Sequence, residues 1–389
     1  MKRGWIIIPV FLLFMAFSDM AKAEFGDVDI HGFVSQGYLQ STRYNHYYSE
    51  TEDGTFQFND MGINFSTKLM DNLRIGMQFF AKDLGQYGND EIAVSWAFAD
   101  YRPKDYLGLK VGKFKKPSGL YNASRDVDAA RACIFLPPSV YNENNREPVL
   151  ATKGAALYGL LPFNLEYSFS YGLIDIPENG SVAGRVSNMV GGGLNEISVD
   201  ASYSFSLFWN TPIEGLKLGG SASDYSFLLD ASALNVDLSG DHYIASLEYL
   251  YNNLLLAAEW KYTEDIQDIV TDANQSLMYL KRYSEGWYVM GAYRFANWLE
   301  CGAYYSWFVQ DRGDQDGSAQ KAIVGGDEEA FRYEDTVLFT RFDINQAWIA
   351  KIELHAINGL MEIEYPDATN PANPRKDSIL VAAKLTYVF

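Results

Sequence analysis

The chain predicts an all-β protein: a closed antiparallel transmembrane β-barrel of about 16 strands, with short turns at one end and long loops at the other. Three observations carry this. Segments of about ten to fifteen residues with period-2 alternation follow one another from Gly26 onward, with no convincing helix among them. The connections between them are short and long in turn. No apolar run reaches the roughly 18 residues that a membrane helix needs, although 48% of residues are hydrophobic and 15% aromatic. With 21% charged residues finely interleaved among them, the profile is that of a wall with lipid on one face and water on the other.

The N-terminus reads as a secretory signal over residues 1–23. Lys2 and Arg3 form a positive start, Trp5 to Phe17 is an apolar run too short to span a bilayer, and Ala21-Lys22-Ala23 is an A-x-A cleavage pattern. Residues 24–389 then form one barrel domain. The formal charge of −19 becomes about −21 without the signal. Such a surface repels phosphate backbones and excludes nucleic acid as a partner.

Strands are expected near 26–42, 56–69, 72–83, 91–103, 107–116, 152–160, 163–175, 196–210, 214–230, 241–251, 254–267, 284–296, 298–311, 332–344, 347–361 and 376–389. Tight connections fall at 70–72, 103–106, 161–163, 211–215, 252–253, 296–297 and 344–346. Between these lie long polar ones at 43–55, 84–90, 117–151, 176–195, 231–240, 268–283, 312–331 and 362–375. A soluble sandwich has no reason to sort loop lengths this way, whereas outer-membrane barrels do.

Single strands show the two faces. Leu73, Ile75, Met77, Phe79 and Ala81 alternate with Arg74, Gly76, Gln78, Phe80 and Lys82. Leu254, Leu256, Ala258, Trp260 and Tyr262 oppose Glu259 and Lys261. Ala350, Ile352 and Leu354 oppose Lys351, Glu353 and His355. Only the first set in each case suits lipid. Trp287, Tyr288, Trp298, Trp307, Trp348 and Tyr387 fall near strand ends, where interfaces favour amphipathic rings; β-propensity accounts for some of them. The chain closes with SILVAAKLTYVF, in which Ile379, Val381, Ala383, Leu385, Tyr387 and Phe389 share one face.

One connection stands apart. Residues 117–151 are long, contain Pro117, Pro137, Pro138 and Pro148, and hold the apolar cluster Ile134, Phe135, Leu136, Val140 and Tyr141. A connection of that length is functional or disordered, and this one is too apolar for disorder. Around its first half stand Lys113, Lys115, Lys116, Arg125 and Arg131 against only Asp126 and Asp128. The expectation is a loop folded into the barrel mouth, narrowing it and setting its charge, with Lys113, Lys115, Lys116, Arg125, Asp126 and Arg131 at the constriction. From the wall, Arg74, Lys82, Lys261, Arg294, Arg341, Lys351 and Lys384 have inward parity. Each could instead be consumed in a lumenal salt bridge with groups such as Glu259, Glu353 or Asp343. The outer loops are acidic at Glu50, Glu52, Asp53 and over 311–331. Cys133 and Cys301 lie far apart in sequence and are expected as unpaired thiols.

The stretch GKFKKPSGLYN, followed by Arg125-Asp126-Val127 and Leu136-Pro-Pro-Ser-Val-Tyr141, resembles a loop signature of the Gram-negative outer-membrane porins. The resemblance implies a sixteen-stranded, homotrimeric channel for passive diffusion of small hydrophilic solutes, with anion preference set by the basic loop. It implies residence in the outer membrane among lipid and lipopolysaccharide. It also makes Tyr387 and the terminal Phe389 an assembly signal read by the barrel-assembly machinery. Pro138 stands where that signature commonly has a polar residue.

Two other classes compete. A hydrolase barrel would need a nucleophile and base, yet none of His31, His46, His242 and His355 lies in a recognisable catalytic motif. A structural or adhesin barrel would have an occluded pore. No metal-ligand spacing, phosphate loop or nucleotide fingerprint occurs, so no cofactor and no enzyme activity are expected.

Overall fold

In the computed structural model, sixteen strands close on themselves. It describes residues 28–389 apart from 43–45, 49–50, 86–87, 145, 178–179, 191–192, 232–233, 272–274, 362 and 365–375, so the signal segment lies outside the described residues. The strands are β1 (Asp29–Ser41), β2 (Phe58–Met70), β3 (Leu73–Leu84), β4 (Ala93–Lys104), β5 (Leu107–Lys115), β6 (Ala151–Leu161) and β7 (Leu165–Ile174). Next comes β8, interrupted at Asp200 into Glu196–Val199 and Ala201–Asn210. Then follow β9 (Leu216–Ala231), β10 (Leu234–Tyr251), β11 (Leu254–Thr271), β12 (Ser276–Ala296), β13 (Leu299–Val309), β14 (Arg332–Asp343), β15 (Trp348–Gly359) and β16 (Asp377–Val388). Each pairs antiparallel with its chain neighbours, and β1 pairs with β16 from Phe33↔Val388 to Ser41↔Leu380. Closure leaves no free edge, so every strand can satisfy its backbone within a membrane.

The seam is sealed by the last residue. Phe389 donates its N–H to Gly32 O at 3.0 Å and accepts from Gly32 N at 3.0 Å. Its ring lies so close that a Cβ at Gly32 would fall 2.5 Å from it and 2.8 Å from Gly62 O.

The faces sort as lipid and water require. Met77, Phe79, Leu256, Trp260, Ile352, Leu354, Val381, Leu385 and Tyr387 are exposed on the outside, while Glu259, Lys351, Glu353 and His355 are buried inside. On β10 the outward row runs from Tyr243 to Tyr251, bounded by aromatic rings. Eight residues rise about 27 Å along the strand, or about 20 Å along the membrane normal at the usual tilt, close to the apolar band of such barrels.

Two of the expected loops are corrected. Residues 231–240 and 268–283 are largely strand, because β9 to β12 run well past the aromatic row. Above Tyr243 the outward face of β10 turns to Asp241, Ser239 and Asp237, which belong in water. Their polarity made these stretches resemble loops. Their inward faces nonetheless pair apolar residues in register, Phe227↔Leu238, Leu229↔Val236 and Val236↔Ile269. This tall wall is covered from inside by a helix that the sequence reading missed. Four α-helices are described: α1 (Pro138–Tyr141), α2 (Glu147–Leu150), α3 (Ser181–Val190) and α4 (Ser318–Val324). Val182 and Val186 of α3, one turn apart, are buried against Phe227, Leu229 and Val236.

Candidate functional site

The connection from β5 to β6, residues 116–150, turns inward and crosses the lumen. Its apolar cluster docks on the wall in two places. Ile134 and Phe135 join Phe58, Leu84, Tyr333, Ile357 and Leu380, with the Phe135 and Phe58 rings stacked at 5.2 Å. Leu136, Val140 and Tyr141 join Ile244, Ala257, Tyr288, Met290, Val337 and Phe339. Polar anchors flank these contacts. Buried Glu259 of β11 accepts from Leu120 N at 2.9 Å, Tyr141 Oη at 2.5 Å, Tyr288 Oη at 2.8 Å and Ser246 Oγ at 2.6 Å. Buried Glu353 of β15 accepts from Ile134 N at 2.5 Å and Phe135 N at 3.2 Å. Ser139 N donates to Ser306 Oγ at 3.1 Å. Gly119 sits at φ +62 beneath Tyr141, where a Cβ would fall 2.5 Å from the phenol oxygen.

Of the expected constriction residues, Lys115, Arg125, Asp126 and Arg131 are brought together, and their charges are not idle. Arg125, 3% exposed, donates Nε to Glu143 Oε1 at 2.9 Å and caps the Tyr141 carbonyl at 2.8 Å. Lys115 pairs with Asp126, which also accepts from Arg146 at 2.5 Å and Ser95 Oγ at 3.1 Å. Arg146 reaches Glu143 at 2.6 Å, and Lys82 of β3 reaches it at 3.2 Å. Arg131 faces Asp128 at 3.5 Å; Asp128 is held as well by Lys351 at 3.1 Å, Thr386 Oγ1 at 2.8 Å and Lys384 at 3.6 Å. Lys384 in turn meets Asp60 at 2.5 Å.

The loop therefore does not leave Arg125 and Arg131 free to reach an opening, since ion pairs hold both. Both stand at the narrow space but are buried in ion pairs, because an isolated charge there would forfeit its hydration without compensation. Lys116 is displaced from it altogether: 1% exposed, it donates to Ser202 Oγ at 2.7 Å and Asp224 O at 3.1 Å beside β8 and β9. Burial lowers its pKa to about 8, against a raising influence of Asp224. Lys113 pairs with Asp175 at the mouth. For Asp126, burial alone would raise the carboxyl, yet Lys115 and Arg146 hold it well below the usual range. Glu143 is held down in the same way by Arg125, Arg146 and Lys82, and Asp128 by Lys351, Lys384 and Arg131.

Of the wall residues, Lys82, Lys351, Lys384 and Arg341 meet the loop region. Arg341 donates to Ala129 O at 2.7 Å and Arg131 O at 2.9 Å, and pairs with Asp343. Arg294 lies nearer the short-turn end, on Glu300 and Asp343, both at 2.7 Å. Arg74 is half exposed there, 3.8 Å from Asp100. Lys261 lines a separate chamber on the long-loop side. Cys133 and Cys301 are free thiols, the first buried in the loop cluster. Sequence reasoning missed Glu143, Arg146, Asp60 and Asp175 as partners. The charged run Asn142 to Glu147 was the available signal for the first two.

Seven cations (Lys82, Lys115, Arg125, Arg131, Arg146, Lys351 and Lys384) thus share four carboxylates (Asp60, Asp126, Asp128 and Glu143), an excess of three positive charges. Between this cluster and the wall at Phe58, Asp60 and Lys82 remains a space of about 50 Å³. It adjoins a vestibule of about 330 Å³ lined by Lys82, Val94, Ser95, Lys113, Arg146 and Asp175.

Solved structures share this architecture. The outer membrane channel DcaP of Acinetobacter baumannii superposes with a TM-score of 0.60 at 11% identity, covering 93% of this chain and 97% of that one. An anion-selective porin from Comamonas acidovorans gives 0.58 at 10% identity, covering 93% and 99%. Salmonella typhi OmpF, solved in complex with daunomycin, gives 0.58 at 13% identity, covering 93% and 97%. No protein-family model and no curated protein matches the sequence. The chain has the sixteen-stranded porin fold: a closed transmembrane barrel with one long connection folded across its lumen.

Proposed function

We propose that this chain is an outer-membrane porin through which small hydrophilic solutes diffuse passively, with a preference for anions. The observation that carries the reading is the ion-pair cluster at the inward loop, seven cations on four carboxylates in a chain whose net charge is −19, an excess that Asp83 beside the narrow space and Glu353 under the loop offset only in part. Low-dielectric walls focus such a surplus, so an anion crossing the narrow space meets an attractive field despite the acidic exterior. The likeness in fold to an anion-selective porin and to the DcaP channel supports the same reading. Lys82 and Glu143 are the least buried members of the cluster at 16% and 18% side-chain exposure, and they are the groups a passing solute would meet. The reading needs no cofactor and no bond-making step. It places the protein among outer-membrane lipid and lipopolysaccharide, inserted through its C-terminal strand ending in Phe389, and assembled as a homotrimer.

Reversal potentials in planar bilayers under a salt gradient test it. The wild type should favour anions, and Lys82→Gln should reduce that preference. Cation selectivity unchanged by Lys82→Gln would refute the anion assignment and leave the acidic mouth in control. A second reading, a barrel closed at rest, is favoured by the small volume left beside the loop. In the same recordings it would show as an absence of conductance that mutations loosening the loop restore.

A further inference from the structure

The wall is least continuous where the inward loop leaves it. β4 and β5 pair only as far as Ala97↔Lys113. Above that rung Ala93 to Trp96 of β4 keep their ladder to β3, through Ala93↔Phe80 and Trp96↔Gln78, and have no strand on their other edge among the described residues. The cause lies in β5. Gly112 stands at φ +132, where a Cβ would fall 2.2 Å from the Ala97 carbonyl oxygen, and beyond it Phe114 and Lys115 pair with β6 alone. Two side chains stitch the gap in place of a backbone ladder. On the outer face Lys113 donates to Val94 O at 2.5 Å and to Asp175, which also takes Lys153 at 2.6 Å. On the inner face Ser95 Oγ donates to Asp126 at 3.1 Å. Either stitch can let go by rotating a side chain, which a backbone ladder cannot do.

The gap joins the lumen to the outside. The vestibule of about 330 Å³ is lined by Lys82, Asp126 and Arg146, which belong to the inner cluster, and also by Val94 and Lys113. Those two face outward by parity: Val94 stands opposite Phe79, and Lys113 follows Val111 on one face of β5, both Phe79 and Val111 being exposed outside. The outward row of β4 (Tyr101, Ala99, Ala97, Val94) carries no charge. From Tyr101 to Val94 it rises about 23 Å along the strand, or about 16 Å along the membrane normal at the usual tilt, so the gap lies within the apolar band. The charges of the passage nearly cancel: Lys82, Lys113 and Arg146 line it against Glu91, Asp126, Glu147 and Asp175, and Lys153 adds one more cation through Asp175. Its remaining lining is largely apolar, with Phe80, Ile92, Val94 and Leu150. Such a path favours neither sign of charge and suits an uncharged molecule with an apolar body.

We infer that the vestibule has a second, lateral entrance through the wall between β4 and β5, latched by Lys113, by which uncharged apolar molecules dissolved in the long-loop half of the membrane reach the lumen. The inference rests on the membrane-spanning barrel and not on the anion preference. Contact quenching in lipid vesicles tests it. Bimane is attached to a single cysteine, Ala93→Cys in the vestibule or Lys261→Cys behind the continuous ladder of β10 to β12, in a full-length Cys133→Ser, Cys301→Ser chain. The bilayer carries nitroxide on its lipid acyl chains. The label at Ala93→Cys should lose about half its emission or more and that at Lys261→Cys almost none, because contact needs an opening in the wall. Lys113→Met should increase the quenching at Ala93→Cys, while Lys113→Arg, which can still donate to Val94 O and Asp175, should match the wild type. Heat-modifiable migration on gels confirms that each variant is folded, and iodide in the water confirms that both labels are reachable from the lumen. Equal lipid quenching at the two positions, none at Ala93→Cys, or no increase with Lys113→Met would each overturn the entrance. Quenching that appears only after the oligomer is dissociated would overturn it too, since a second copy would then cover the gap. Conductance in the same vesicles keeps the two proposals apart. A conducting barrel without lipid quenching retains the channel and loses the entrance; lipid quenching without conductance does the reverse.

Discussion

Asp126→Asn removes one charge from the centre of the loop cluster and nothing else. The carboxylate is 3% exposed and serves Lys115, Arg146 and Ser95 together. An amide of equal size cannot neutralise either cation, so Lys115 loses its carboxylate partner and Arg146 one of its two, leaving Glu143 to face Lys82, Arg125 and Arg146. Breaking a buried pair from one side costs roughly 3–5 kcal/mol. Each 1.4 kcal/mol is about tenfold, so the loop-docked state should lose on the order of 10²–10³ in its equilibrium. The assay is limited proteolysis in detergent, following cleavage between Lys116 and Arg146, beside conductance in bilayers. Faster cleavage and a larger, noisier conductance are expected. Adding Arg146→Gln should restore part of the protection, a coupling of at least about 1 kcal/mol in the double-mutant cycle. If Asp126→Asn protects the loop as well as the wild type does, apolar docking alone holds it and the ionic argument is wrong. The pH dependence has a definite sign. Asp126 is held below its unfolded value of 3.8, so its contribution is complete above that pH and disappears only as pH falls through the lower folded value. Wild-type loop protection should therefore persist unchanged from neutral pH down to about pH 4.

Gly119→Ala forces a side chain into Tyr141 and Glu259 at φ +62, and should lift the first turn of the loop at a cost of about 1–3 kcal/mol, visible as a higher conductance. Gly32→Ala collides with the Phe389 ring and with Gly62 O, so the temperature at which the barrel loses heat-modifiable migration should fall. Burial, aided by Glu353, pushes the Cys133 thiol up to about 12. In a Cys301→Ser background, maleimide at pH 8 should therefore label Cys133 only after unfolding; rapid labelling of the native barrel would show that the loop is not docked as described.

Most of the barrel was legible in the amino-acid order. Period-2 runs such as Leu73–Lys82 and Trp348–His355 carry their own inside and outside, because a strand has only two faces and lipid accepts only one kind. The inward loop was legible too, from an apolar cluster, Ile134 to Tyr141, placed where a solvated loop has no use for it. Less of β9 to β12 could be read. Above the membrane both faces of those strands can carry polar groups, so Asp237 and Asp268 looked like loop residues until the register showed Val236 and Leu229 meeting beneath α3.

The charges of the site were decided by tertiary structure. Sequence determined which side chains face the lumen and that the loop between β5 and β6 is basic. It could not determine that Lys82, Lys351 and Lys384, from distant strands, converge on carboxylates of that loop, or that Arg125 is consumed by Glu143 rather than presented to a solute. Facing is a local property, fixed by alternation along one strand. Pairing depends on where a folded loop comes to rest against a closed wall, and Coulomb energies across a few ångströms of low-dielectric interior change greatly with that resting place.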